Sequence, residues 1–195
     1  MTGALETMRA FVALNLDVAG TRALASHAET LRERAKGLEL RWVAPTKMHL
    51  TLKFLGEVDV GLAPALVDLL RPIAASRAAP GGKIAEVSAF PSPEEAMVIV
   101  ALVSDKKGRI GELAEAVETM AGGLGFAREG RAYRPHVTLA RARAGFDARA
   151  WLAASPIAKM DVRVTELVLY RSDRTRPGAE YTAVGRFAFG SPTQG

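Results

Sequence analysis

The sequence predicts a mixed fold, α/β or α+β, built from strands interleaved with about three amphipathic helices. Three observations carry that reading. Short runs rich in Val, Ile, Leu and Phe are punctuated by Gly, Pro and Asp, as strands are. Between them, apolar residues recur at intervals of three and four in three separate stretches, the stripe of a helix that lays one face on a core. At 195 residues, with 49% hydrophobic and 24% charged side chains, the chain is long enough for one domain or two small fused lobes and can bury a sizeable core.

The elements follow in order. Residues 8–16, MRAFVALNL, read as an opening strand. Asp17 caps a helix whose stripe is Leu24, Ala28, Leu31 and Ala35, and Gly37 ends it. Residues 38–43 form a strand, and Ala44-Pro45 turns the chain. Residues 48–55 are again strand-like. Leu62, Leu66, Leu69, Leu70 and Ile73 mark a second helix, with Pro64 tolerated in its first turn. A loop at 78–82 leads to a strand over 83–90, a Pro91-Ser92-Pro93 turn and a strand over 96–103. Ile110, Leu113, Ala114, Val117, Ala121 and Leu124 stripe a third helix, closed by Gly122-Gly123. Residues 136–143 form a strand, 148–154 a short helix, and 161–170 and 181–189 two closing strands around a polar loop. Residues 1–7 and 191–195 are expected to be peripheral tails around a unit spanning 8–190.

Composition removes several chemistries. The absence of cysteine excludes thiol catalysis, thiolate metal sites and a disulfide framework. No apolar run reaches the roughly 18 residues of a membrane span, and the opening residues lack a signal-peptide pattern, so a cytoplasmic location is expected. The net charge of +5 and the pI of about 9.8 favour anionic partners such as nucleotides or RNA, although the 26 Lys and Arg residues are dispersed. Neither G-x-G-x-x-G nor G-x-x-x-x-G-K-[ST] occurs, which argues against an ATP- or NAD-driven reaction.

Two of the three histidines stand in the same short motif, His49-Leu50-Thr51-Leu52 and His136-Val137-Thr138-Leu139. Each lies in a strand-like run. Alternation puts His and Thr on one face and two aliphatic residues on the other. The motifs lie nearly half a chain length apart, so two similar lobes could bring them face to face. Such a pair suits the opening of a cyclic phosphodiester. One imidazole takes a proton from water and the other protonates the leaving oxygen, each step typically worth on the order of 10²–10⁴-fold in rate. The threonine hydroxyls can donate to the non-bridging phosphate oxygens. His27 falls at the edge of the first helix's stripe and reads as a boundary residue. Two histidines in separate strands, without a third ligand or an H-E-x-x-H run, do not describe a zinc site.

At these residues the chain resembles the 2H phosphoesterase superfamily, and within it the bacterial and archaeal RNA 2',3'-cyclic phosphodiesterases, historically called 2'-5' RNA ligases. MRAFVALNL, RWVAPTKMHLTLKFLGEV, AFPSP, YRPHVTLARAR, ELVLYRS and YTAVGRFAFG carry the resemblance, which runs from Met8 almost to the end. It implies a bilobal, pseudo-symmetric α+β fold with two antiparallel sheets lining a central basic groove and helices outside. It implies hydrolysis of RNA 2',3'-cyclic phosphate ends to 2'-phosphates. No metal or cofactor is expected, because ring strain and protonation activate the leaving group, and a monomer is expected, because one chain supplies both motifs. His49 would be the general acid and His136 the general base. Thr51 and Thr138 would hold the phosphate, Arg141 would steady its charge, and Arg134 would contact RNA. On a regular strand Arg141 faces away from His136, so its role needs a bulge or a strand end. Where the family often has a basic residue and then an aromatic after AFPSP, Met97 and Val98-Ile99-Val100 stand instead. Phe11, Phe54, Phe90 and Tyr133 are the nearby candidates for base stacking. The same two histidines would also serve 2'-5' RNA ligation or a small cyclic nucleotide. A non-catalytic RNA-binding module is the reading of another class, and it would not need both proton carriers.

Overall fold

The structure, a computed structural model, describes residues 6–174 and 178–191; residues 1–5 and 192–195 of the expected tails lie outside the described residues. In chain order the elements are β1 (Thr7–Leu16), α1 (Val18–Arg34), β2 (Leu40–Trp42), β3 (His49–Asp59), α2 (Ala63–Ala75), β4 (Gly81–Pro91), β5 (Ala96–Ser104), α3 (Arg109–Gly123), β6 (His136–Phe146), α4 (Arg149–Ala153), β7 (Met160–Arg174) and β8 (Ala179–Ala188).

Local chemistry sets several boundaries. The Asp17 carboxylate accepts the Gly20 N–H at 3.1 Å, which satisfies an otherwise orphan donor at the start of α1. A Cβ on Gly20 would lie 2.7 Å from that carboxylate and 3.2 Å from Val162, so only glycine lets α1 approach both its cap and β7. Asp105 accepts from the Ile110 and Gly111 N–H groups at 2.7 and 2.9 Å and anchors the start of α3 from outside the helix. Pro64 sits in the first turn of α2, where its missing N–H costs nothing. The buried stripes are Leu24, Ala28 and Leu31 on α1, Leu66, Leu70 and Ala74 on α2, and Ile110, Leu113, Ala114, Val117 and Ala121 on α3.

Among the described residues the named strands pair antiparallel, in two groups of four, β3-β1-β7-β8 and β2-β6-β5-β4. The groups join twice. Gly81–Ile84 of β4 pair with Met160–Arg163 of β7, and Leu50 of β3 pairs with Val137 of β6. The two expected sheets are thus continuous as one eight-stranded sheet. Outside it, α1 packs on β7, α2 on β8 and α3, and α3 on β3. Among the described residues, no helix is long and apolar enough to cross a membrane.

The differences from expectation lie at element ends. The strand predicted over 38–43 pairs only over Leu40–Trp42, against Leu40's partner Ala142 and its neighbours. The polar stretch expected as a loop between the closing strands is largely hairpin: Arg171, Ser172 and Asp173 pair with Thr182, Tyr181 and Glu180. Backbone ladders there need no apolar face, which is why polarity alone misled. Sheet pairing also reaches into the stretch expected to be a tail, since Thr7 pairs with Asp59 and the Glu6 carbonyl accepts from Val60 N–H.

Candidate active site

The two H-x-T strands meet at Leu50 and Val137, which are cross-strand partners and fully buried. In an antiparallel pair, that register sets His49 beside Thr138 and Thr51 beside His136, all four on the face away from the core. The hydrophobic residues of each motif therefore register the strands, and the polar residues converge as a consequence.

Each strand then breaks its alternation at the same place. On β6 the pairing with β5 shifts between Ala140 and Thr138, leaving Leu139 as the extra residue, and Leu139 and Ala140 are buried consecutively. Beyond this bulge the faces exchange, and Arg141 returns to the side of His136 and Thr138. On β3 the pairing with β1 shifts between Lys53 and Thr51, and Leu52 and Lys53 are buried consecutively. Phe54 there returns to the polar side as Arg141 does on β6, and it is 65% exposed. The two halves thus present pseudo-equivalent sets: His49, Thr51 and Phe54 from one, His136, Thr138 and Arg141 from the other.

Both imidazoles are oriented by main chain. Nδ1 of His49 lies 2.8 Å from the Lys47 carbonyl, and Nδ1 of His136 lies 2.7 Å from the Arg134 carbonyl. A carbonyl only accepts, so Nδ1 carries a proton in each ring and Nε2 is left for chemistry. His49 Nε2 is 3.1 Å from the Thr51 hydroxyl. Burial pushes the His49 imidazole down to about 4. The Lys47 carbonyl opposes that shift, and Arg141 and His136 add to it. His136 is also lowered, by burial first, with the Arg134 carbonyl opposing and the Arg141 and Arg134 guanidinium groups adding to it.

Two clefts flank this centre. His49, Thr138, Arg141, Lys47 and Tyr181 line the first. His136, Phe90, Tyr133 and Arg134 line the second, of about 680 Å³, and Thr51 and Phe54 line both. Arg134 lies over the Phe90 ring at 5.1 Å, and that ring meets His136 edge-on at 4.9 Å. Among the described residues, no group of three or more His, Cys, Asp or Glu could hold a metal ion.

Comparison with known proteins follows this duplicated geometry. The family LigT like Phosphoesterase matches the chain twice, over residues 15–100 and 100–181, with one H-x-T-x strand in each match. The chain is a LigT-like phosphoesterase. It is 28% identical over 149 residues to the RNA 2',3'-cyclic phosphodiesterase of Aeropyrum pernix, covering 74% of this chain and 84% of that protein. It is 28% identical over 182 residues to the protein of the same name from Methanothermobacter thermautotrophicus, covering 90% and 95%. Among solved structures, E. coli LigT complexed with 3'-AMP superposes with a TM-score of 0.67 at 27% identity, over 95% of this chain and 100% of that one. TT0787 of Thermus thermophilus superposes with a TM-score of 0.77 at 23% identity, over 95% and 100%, a likeness of fold.

This phosphoesterase also surrounds His49 with residues that sequence reasoning did not single out. Tyr181 meets the ring edge-on at 5.4 Å, and Tyr170 lies 6.2 Å away. Both come from the closing hairpin, and no local signal ties them to a histidine so far along the chain. Phe11 stacks on His49 at 5.0 Å and is 3% exposed, so it packs against the imidazole and offers no platform to a base. Tyr133 is half-buried and its hydroxyl donates to the Thr51 carbonyl at 3.0 Å. Of the four aromatic candidates, Phe54 alone is widely exposed. On β5, Ile99 and Val100 are core residues and Met97 is partly exposed, so that edge presents an apolar side chain where a basic or aromatic group was considered. His27 is half-buried on α1, as a boundary residue should be.

Proposed function

We propose that this phosphoesterase hydrolyses RNA 2',3'-cyclic phosphate ends to 2'-phosphates, without a metal ion, using His49 and His136 as acid and base. The observation that carries the reading is the pairing of Leu50 with Val137, which sets two oriented imidazoles and two hydroxyls side by side on adjacent strands, where two clefts meet at Thr51. The shared name of the A. pernix and M. thermautotrophicus relatives, and the 3'-AMP held by E. coli LigT, support RNA-derived phosphate as the substrate class.

In this scheme the phosphate sits between the rings. His136 Nε2 takes a proton from a water molecule as its oxygen bonds to phosphorus. The bond from phosphorus to the 3'-oxygen breaks, and that oxygen takes the proton from His49 Nε2. The product keeps the phosphate on the 2'-oxygen. His49 ends neutral and His136 protonated, and exchange with solvent restores both. Thr51 and Thr138 donate to the non-bridging oxygens, and Arg141 offsets the charge they gain. A buried imidazole is a strong acid once protonated, and the phosphate's own negative charge is what makes His49 take up its proton. Arg134 and the exposed Phe54 line the second cleft with His136 and Phe90, and the nucleoside would lie at that end of it. Both motifs belong to one chain, so a monomer suffices.

The test is a short RNA ending in a 2',3'-cyclic phosphate, incubated with the protein in excess EDTA, with the product mapped. Conversion to the 2'-phosphate is expected. A 3'-phosphate product, or turnover only after a divalent cation is added, would contradict the scheme.

A further inference from the structure

The connection from α3 to β6 forms one wall of the second cleft, yet it has little to hold it. Residues 127–132 are all exposed, and no backbone–backbone hydrogen bond is made by residues 127–134 among the described residues. Such a segment opens easily unless side chains tie it down. The ties converge on one buried ion pair. Lys53, turned inward by the β3 bulge and 6% exposed, donates to Glu118 Oε1 and Oε2 at 2.8 and 2.9 Å and to the Ala127 carbonyl at 2.9 Å. Glu118 in turn accepts the Glu129 N–H at 3.2 Å. An exposed pair, Arg128 with Glu115, adds a weaker link at 2.6 Å. The far end is fixed separately, through the Tyr133 hydroxyl on the Thr51 carbonyl and Val103 N–H on the Pro135 carbonyl.

We propose that Lys53 and Glu118 are positioning residues that hold segment 127–132 as a wall of the substrate cleft, so that Arg128 and Arg131 grip RNA lying beyond the terminal nucleoside. This rests on the proposed function for its substrate class. The pair touches neither histidine. Its three bonds to Glu118 and Ala127 fill the lysine's donors, so Lys53 has none left for substrate. The pair therefore acts on affinity for longer RNA and leaves the chemical step alone.

The experiment uses Lys53→Met, Glu118→Leu and the double variant, because each single change strands a buried charge and the double change does not. The double variant is expected to melt within a few degrees of wild type. Trypsin should cut it after Arg128 or Arg131 under conditions that leave wild type intact. Its Kd for an RNA hexamer ending in a 2'-phosphate should rise about tenfold by anisotropy, and its KM for the hexamer with a cyclic end should rise alike. Its kcat, and its kcat/KM on a 2',3'-cyclic mononucleotide, should stay within about twofold. Unchanged trypsin resistance, unchanged hexamer affinity, or equal losses on hexamer and mononucleotide would each overturn the proposal. If wild type turns over neither substrate, the hydrolase reading fails, while proteolysis and hexamer affinity still decide the role of the pair.

Discussion

Among the described residues, Leu50 and Val137 are the sole cross-strand partners between β3 and β6, and each stands one residue past a histidine. Two buried aliphatic residues thereby bring together chemistry from the two halves of the chain. The consequence is that core substitutions here reach the site by a short route. Leu50→Ala leaves a cavity where a fully buried leucine was, and is expected to cost about 2–5 kcal/mol. Urea denaturation would check this; a loss below about 1 kcal/mol would mean that the two strands are not held together by this packing.

The β6 bulge makes Arg141 a neighbour of both imidazoles, and it depresses both. Arg141→Met removes a charge from an exposed side chain, so stability should change by no more than about 0.5 kcal/mol. Loss of a group that offsets transition-state charge should lower kcat by roughly 10–10³-fold. The same change should move the His49 titration upward, readable by NMR of the ring protons. A variant with unchanged kcat would remove Arg141 from the reacting centre.

The depressed histidines set the pH response. In the free protein His49 titrates at about 4 and His136 below its ordinary value near ~6.5. In the proposed scheme the productive form has His49 protonated and His136 neutral. Acid protonates His136 and removes the base, while at higher pH both rings are neutral and the acid is lost. kcat/KM should therefore be bell-shaped with both limbs on the acid side of 6.5, falling from pH 7 to 9. This moves to acid the limbs that two unperturbed histidines would place around neutrality. Bound phosphate stabilises the His49 cation, so kcat should hold to higher pH than kcat/KM does. A kcat/KM that climbs steadily to pH 9 would contradict the scheme.

Phe54 is the pseudo-symmetric counterpart of Arg141 and is open to solvent. If a base stacks on it, Phe54→Ala should raise KM for cyclic-ended RNA by roughly 5–150-fold, the equivalent of about 1–3 kcal/mol. The melting temperature should not fall, since little of the ring is buried. An unchanged KM would mean that the base lies elsewhere in the cleft.

Much of the site is legible in the sequence alone. His49, Thr51, His136 and Thr138 stand out because period-two alternation separates them from Leu50, Leu52, Val137 and Leu139. The helix stripes of Leu24 to Leu31 and Ile110 to Ala121 are equally plain, because apolar periodicity reports burial directly. The bulges are less so. A role for Arg141 requires one near it, but nothing in HVTLAR specifies where, and the matching bulge that turns Lys53 inward gives no sign. Tyr170, Tyr181 and the Lys53–Glu118 pair depend on contacts between residues far apart in the chain, which local pattern does not encode.

The most direct measurement is single-turnover hydrolysis of a cyclic-ended RNA in excess EDTA by wild type, His49→Ala and His136→Ala. The two-histidine account predicts that each variant folds and binds the RNA but loses at least about 10²-fold in rate. It further predicts that His49→Ala alone recovers on a substrate whose leaving group needs no proton. Either histidine variant cleaving the natural end at the wild-type rate would contradict it.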